Sequence, residues 1–144
     1  MGRLMGVDVG TRRIGIAFSD VDGSIATAHS TIEVDGGNRR AAKRAAELVE
    51  ERDVETVVVG WPIRMDGSEG RAVEFVERFV AQLEEALAEI GRTVEIERWD
   101  ERLSSSEAES VLIDADLSRS RRKGVVDRVA AARILQNYID ANLS

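Results

Sequence analysis

Residues 3–19, RLMGVDVGTRRIGIAFS, hold two short apolar runs joined by Gly10-Thr11-Arg12. The first run, 3–9, has apolar residues on both faces of an extended chain, as a strand inside a covered sheet requires. The second, 13–19, is a strand of the same kind. The three residues between them leave room only for a tight turn, so the pair is a hairpin. Asp20-Val21-Asp22-Gly23 is a further turn signal, after which 24–34 is expected as a third strand.

Beyond Gly36-Gly37-Asn38 the period changes. Ala42, Ala45, Ala46 and Val49 recur at helical spacing within 39–52. Thr56-Val57-Val58-Val59-Gly60 is a short buried strand, and a loop, WPIRMDGSEG, leads to a long helix over about 69–90 with Gly91 as its C-cap. Residues 93–99 form a fifth strand, whose Val94/Ile96 alternation with Glu95 and Glu97 suits a sheet edge. Ser104-Ser105-Ser106-Glu107 is a capping-box signature for a helix to about 114. A basic loop, LSRSRRKG, then precedes a last helix over 124–142. Short turns make strands 1–3 antiparallel, and helical crossovers make strands 4 and 5 parallel to strand 1. The expectation is an α/β fold: a five-stranded mixed sheet with helices on both faces, in the strand and helix order of the ribonuclease H-like fold.

The 144 residues suit one domain spanning 1–144, with no repeat or Pro/Ser-rich linker inside it. Absence of cysteine excludes disulfides, a thiol nucleophile and thiolate-bound zinc, and a single histidine, His29, excludes any site built on a histidine pair. His29 is expected to be structural, and Trp61 and Trp99 to pack in the core or loops. No apolar run approaches the ~18 residues of a membrane helix, and no signal peptide is visible, so the expected location is the cytoplasm, away from membranes. The net charge of −7 means that nucleic acid could be met only by a local basic patch.

Three carboxylates stand out. Asp8 lies near the end of an apolar strand, where a desolvated charge costs several kcal/mol unless it is paired or binds a metal. Asp100 and Glu101 follow Trp99 at the end of the fifth strand, a common ligand position in α/β sheets, and strand parity leaves open which of the two points inward. Asp127 heads an apolar line, Ala131, Ile134, Leu135 and Tyr138, on the last helix. Asp8, Asp127 and one of the strand-5 acids can converge at one edge of the sheet. Oxygen-only donors suit Mg²⁺ or Mn²⁺, and two such ions activate water and stabilise the leaving oxygen in phosphodiester hydrolysis. The loop at 60–68 offers Arg64 and backbone N–H groups to phosphate. Arg119, Arg121, Arg122 and Lys123 form the one dense cationic stretch, with Arg12 and Arg13 at the first turn as further candidates for a nucleic-acid backbone. The G-x-D-x-G-T pattern around Asp8 also occurs in actin-like ATPases, but that class closes two such domains around its nucleotide, and this chain has length for one.

Four segments, GVDVGTRRIGIAFSD, VVVGWPIRMDGSEG, WDERLSSSEAE and KGVVDRVAAARILQNYID, resemble in order and spacing the YqgF/RuvX family of the ribonuclease H-like superfamily. The resemblance runs from Leu4 to Asp140. It implies a divalent-metal nuclease (Mg²⁺ or Mn²⁺) that processes the 5′ end of precursor 16S rRNA in ribosome biogenesis, or a Holliday junction resolvase acting on branched DNA. It also implies Asp8, Glu101 and Asp127 as the catalytic, metal-binding acids, with Asp100 as the alternative to Glu101. Expected partners are nucleic acid and ribosomal particles; a resolvase would favour a homodimer, whereas rRNA trimming is open to a monomer. A non-catalytic RNA- or ribosome-binding module is the alternative of another class. The chain departs from the family pattern at Trp61 and Arg64, and at Gly60, where many ribonuclease H-like enzymes carry an acid.

Overall fold

The computed structural model describes residues 2–34, 37–63, 66–100 and 119–142, with 119–126 described by their backbone. Among the described residues five strands and three helices follow one another as β1 (Arg3–Val9), β2 (Arg13–Ser19), β3 (Ala26–Glu33), α1 (Asn38–Arg52), β4 (Val54–Trp61), α2 (Arg71–Glu89), β5 (Glu95–Asp100) and α3 (Arg119–Asn142). The sheet order is β3-β2-β1-β4-β5. β1 pairs antiparallel with β2, and β2 with β3, whereas β4 runs parallel to β1 and β5 parallel to β4. The expected mixed sheet is therefore present, with the half-polar β5 at its edge.

Strand parity divides the apolar side chains between two layers. Met5, Val7, Ile14, Ile16, Val57 and Val59 pack beneath α1 and α2 with Ala42, Val49, Phe79 and Leu83. Leu4, Ala17 and Val58 face α3, where Ala131, Ile134, Leu135 and Ile139 meet them. Both faces are thus helix-covered, which is why β1 and β4 are apolar at successive positions. The α3 face is lined with small residues. A Cβ on Gly6 would stand 2.7 Å from the Ala131 carbonyl oxygen, and one on Gly15 would stand 1.9 Å from that of Asp127. Close approach to the sheet along the line Asp127, Ala131, Leu135 is what these two glycines permit.

α2 ends in a Schellman motif. Gly91 takes a left-handed φ of 71°, its N–H donates to Ala88 O at 3.0 Å, and the Arg92 N–H donates to Leu87 O at 2.9 Å. The Arg92 side chain then ties this end to the α1–β4 junction, donating to Asp53 Oδ1, Val54 O and Glu50 Oε2.

The last helix departs from expectation. It starts at Arg119 rather than at residue 124, so the basic segment forms its first turns rather than a loop. Gly124 marks a boundary in the local pattern, but one glycine inside a helix costs only about 1 kcal/mol, and the flanking Arg and Lys are good helix formers. The helix expected over 104–114, with its capping box, lies outside the described residues.

Candidate active site

β1 carries Asp8 to the C-terminal end of the sheet. On that strand Leu4 faces α3, so alternation puts Gly6 and Asp8 on the α3 side as well. Asp8 pairs across the hairpin with Gly15, the residue on which the Asp127 backbone rests. The two acids therefore flank one glycine, Asp8 from the neighbouring strand and Asp127 from the helix above. The turn between β1 and β2 is closed by the Gly10 N–H donating to Arg13 O at 3.0 Å, and a Cβ on Gly10 would stand 2.6 Å from that same oxygen.

Arg13 follows this turn on the α3 face. Its Nε donates to Asp127 Oδ2 at 3.1 Å, and the two side chains are 23% and 31% exposed. Partial burial makes this pair less screened than a surface ion pair. It fixes the Asp127 carboxylate on the β1–β2 hairpin, next to the strand that carries Asp8. Arg12 is exposed at the tip of the turn, and its carbonyl accepts the Val34 N–H at 3.0 Å.

The register separates the residues around Asp100. Trp99 pairs with Gly60, and its ring meets that of Tyr138 edge-on at 5.7 Å in the α3 layer. Asp100 pairs with Trp61, one position on, which aligns it with Ile96 and Val94 on the α1/α2 side of the sheet, opposite to Asp8. Burial and then the charges of Glu97 and Glu95 push the Tyr138 hydroxyl above its ordinary range, so it stays protonated at neutral pH. Trp61 is buried at the end of β4, with the Arg98 guanidinium 5.0 Å from its ring centroid. Glu101 and Arg64 lie outside the described residues, as do the side chains of Arg119, Arg121, Arg122 and Lys123.

Oxygen donors from Asp8 and Asp127 suit a hard cation such as Mg²⁺ or Mn²⁺. Among the described residues no group of three or more His, Cys, Asp or Glu side chains is placed to hold a metal ion. Of the sequence-predicted acids, Asp8 and Asp127 are the two that the described residues bring to this end of the sheet. The single histidine is elsewhere. His29 sits on β3 with its ring edge-on to Phe18 at 4.9 Å and its Nε2 2.9 Å from Arg52 Nη2.

A cleft of about 500 Å³ opens beside Asp8 at the ends of β1 and β4. Val9, Gly10 and Thr11 form one side, with Gly60 and Pro62, and the first two turns of α2 form the other through Arg71, Phe75 and Arg78. Neither arginine was singled out from the sequence. The signal was the spacing Arg71, Phe75, Arg78 at i, i+4 and i+7, which places a cation, a ring and a cation on one helical line.

Comparison with known proteins gives the family and the fold. The RuvX family, described as "Holliday junction resolvase", matches residues 2–141. A protein of Syntrophomonas wolfei named "Putative pre-16S rRNA nuclease" is 44% identical over 138 residues, covering 96% of this chain and 94% of its own. One of the same name from Halalkalibacterium halodurans is 45% identical over 139 residues, covering 96% of each chain. Among solved structures, Thermus thermophilus RuvC in complex with a Holliday junction substrate superposes with a TM-score of 0.63 at 15% identity, over 100% of this chain and 98% of that one. The yeast mitochondrial Holliday junction resolvase Ydc2 superposes at 0.57 and 14% identity, over 96% and 78%. At such identities the likeness establishes the fold, which is the ribonuclease H-like one.

Proposed function

Since the chain belongs to the RuvX family, we propose that it is a metal-dependent endonuclease that hydrolyses phosphodiester bonds in structured nucleic acid, with 5′-end processing of precursor 16S rRNA as its task. The observation that carries this reading is the meeting of Asp8 and Asp127 at Gly15, on the α3 side of the sheet's C-terminal end. Two carboxylates brought to one glycine by a central strand and a packed helix are the oxygen donors that a hard divalent cation takes. Asp8 and Asp127, joined by Glu101, would hold Mg²⁺ or Mn²⁺. Asp100 is the weaker choice for the third donor, because its register aligns it with the opposite face. Bound divalent cations supply an activated water and stabilise the leaving oxygen.

The chain's own groups supply position and charge. Arg13 holds the Asp127 carboxylate against the hairpin. α3 begins with Arg119, Arg121, Arg122 and Lys123 and has no acid in its first turn. Cations there oppose the helix dipole and cost a few tenths of a kcal/mol each. Such a start is understandable if the segment serves a phosphate backbone, with Arg12 and Arg64 as the further cations that the sequence offers. This task places the protein in the cytoplasm, on ribosomal particles.

Incubation of the purified protein with precursor 16S rRNA and with four-way DNA junctions, in Mg²⁺, Mn²⁺ or EDTA, tests this reading. Metal-dependent cleavage of the rRNA is the expected result. Cleavage of the junction alone would favour the resolvase activity for which the family is described. Binding with no cleavage of either would leave a nucleic-acid-binding module.

A further inference from the structure

The cleft beside Asp8 extends away from the carboxylate face. Asp8 stands with the α3 layer, whereas α2 covers the opposite face, so the cleft continues over the C-terminal ends of β1 and β4 to the other side of the sheet. Gly10 and Gly60 lie at this crossing and put no side chain in the way. The lining beyond it is mixed. Val9, Pro62, Ala72, Phe75 and Val76 are apolar, and Arg71 and Arg78 are exposed cations. Among the described residues neither arginine makes an ion pair; Arg78 Nε reaches only the Glu74 carbonyl, at 3.5 Å. The Glu74 side chain also lines the cleft and sets one acid against the two cations.

Volume and chemistry together select the occupant. Cavities of about 300–1,000 Å³ enclose a ligand of drug size, which is the size of one nucleotide. A duplex does not enter a space of about 500 Å³. Arg71 and Arg78 are seven residues apart, about 10 Å along the helix axis, with Phe75 between them. A ring flanked by cations is the arrangement by which proteins hold unpaired strands, the base on the ring and the phosphates on the cations. We propose that this cleft takes an unpaired nucleotide next to the scissile bond, its base against Phe75 and its flanking phosphates on Arg71 and Arg78. The enzyme would then require a frayed or single-stranded segment at the cut. The proposal rests on the assignment of Asp8 to the cutting centre.

Fluorescence-detected binding of a short single-stranded RNA and of the matching duplex, in Ca²⁺ at several salt concentrations, tests it. The double variant Arg71→Gln/Arg78→Gln should bind the single strand about tenfold more weakly and flatten its log K versus log salt slope by about 1.4, at about 0.7 per phosphate contact. Phe75→Leu should weaken it about tenfold and relieve the quenching of a 2-aminopurine placed at the cut, while leaving the salt slope unchanged. Duplex binding and the Mn²⁺-induced rise in Tm should stay as in the parent. Equal losses on single strand and duplex, or an unchanged slope in the double variant, would overturn the proposal. So would a parent protein that binds no single strand. Absence of the Mn²⁺ effect and of cleavage, with these binding changes intact, would instead remove the metal-nuclease reading and leave the cleft as a strand-binding site.

Discussion

At Gly15 a methyl group would stand 1.9 Å from a backbone oxygen of α3, so alanine there must push the helix away. Gly15→Ala should cost about 3 kcal/mol and also lower cleavage, because the displaced segment carries Asp127. Urea unfolding with an activity assay checks both effects, and stability equal to the parent would contradict the packing described. Asp8→Asn keeps the side chain's size and removes its charge. It should abolish cleavage, leave Tm without metal at least as high as the parent's, and remove the rise in Tm that Mn²⁺ gives the parent. Full cleavage by this variant would refute the site. Arg12 and Arg13 are neighbours in sequence with separate fates: one is exposed at a turn tip, the other is paired with Asp127. Sequence alone groups them as two cations. Strand parity tells them apart, once it is known that α3 covers one face of the hairpin.

Elements are joined here by arginines at their ends. Arg92, just after α2, gathers the end of α1 and the start of β4, and the left-handed Gly91 before it makes that turn possible. No atom lies within 4 Å of a Cβ built on Gly91, so Gly91→Ala meets only the backbone penalty. It should cost about 1 kcal/mol in urea and leave cleavage unchanged, in contrast to Gly15→Ala. At this same end of α1, Arg52 meets His29 of β3. Desolvation first, then the Arg52 charge, holds the His29 imidazole below its ordinary value of 6.5. The unfolded chain therefore binds the proton more readily than the folded one. Stability should decline as pH falls below about 6.5 and level off below the folded-state value. His29→Gln should flatten that part of the stability profile; an unchanged profile would assign the decline to other groups.

The whole molecule carries a net charge of −7, yet its proposed substrate is a polyanion. Local geometry must overcome this balance. Arg119, Arg121, Arg122 and Lys123 follow one another within two turns of α3, directly before Asp127. Changing all four to Ala should flatten the salt dependence of nucleic-acid binding by roughly 0.7–0.9 per lost phosphate contact, with four contacts as the ceiling. The Mn²⁺-induced rise in Tm should remain, since none of these side chains binds a cation. Binding measured in Ca²⁺ over a range of salt checks this, and an unchanged slope would move attention to Arg12, Arg71 and Arg78.

Period and punctuation in the chain determined much of this molecule by themselves. Apolar runs of strand length, the tight turn at Gly10, and helical spacing in α1 and α2 gave the element order, and short against long connections gave the strand directions. The prominence of Asp8 and Asp127 was likewise legible, because a carboxylate at the end of an apolar strand or at the head of an apolar helical line is out of place in a purely structural segment. The start of α3 was not legible, since Gly124 breaks a local pattern that packing and the flanking helix formers restore. That Asp8 and Asp127 can converge was legible too, but not the way α3 reaches the sheet to bring them to one glycine. That approach depends on Gly6 and Gly15 letting α3 settle on the sheet, and a glycine's lack of a side chain acquires that meaning only when a second backbone lies against it. The facing of Asp100 and the cleft between β1, β4 and α2 belong to the same class. Both are relations between segments distant in the chain, which local periodicity does not encode and only the packed sheet decides.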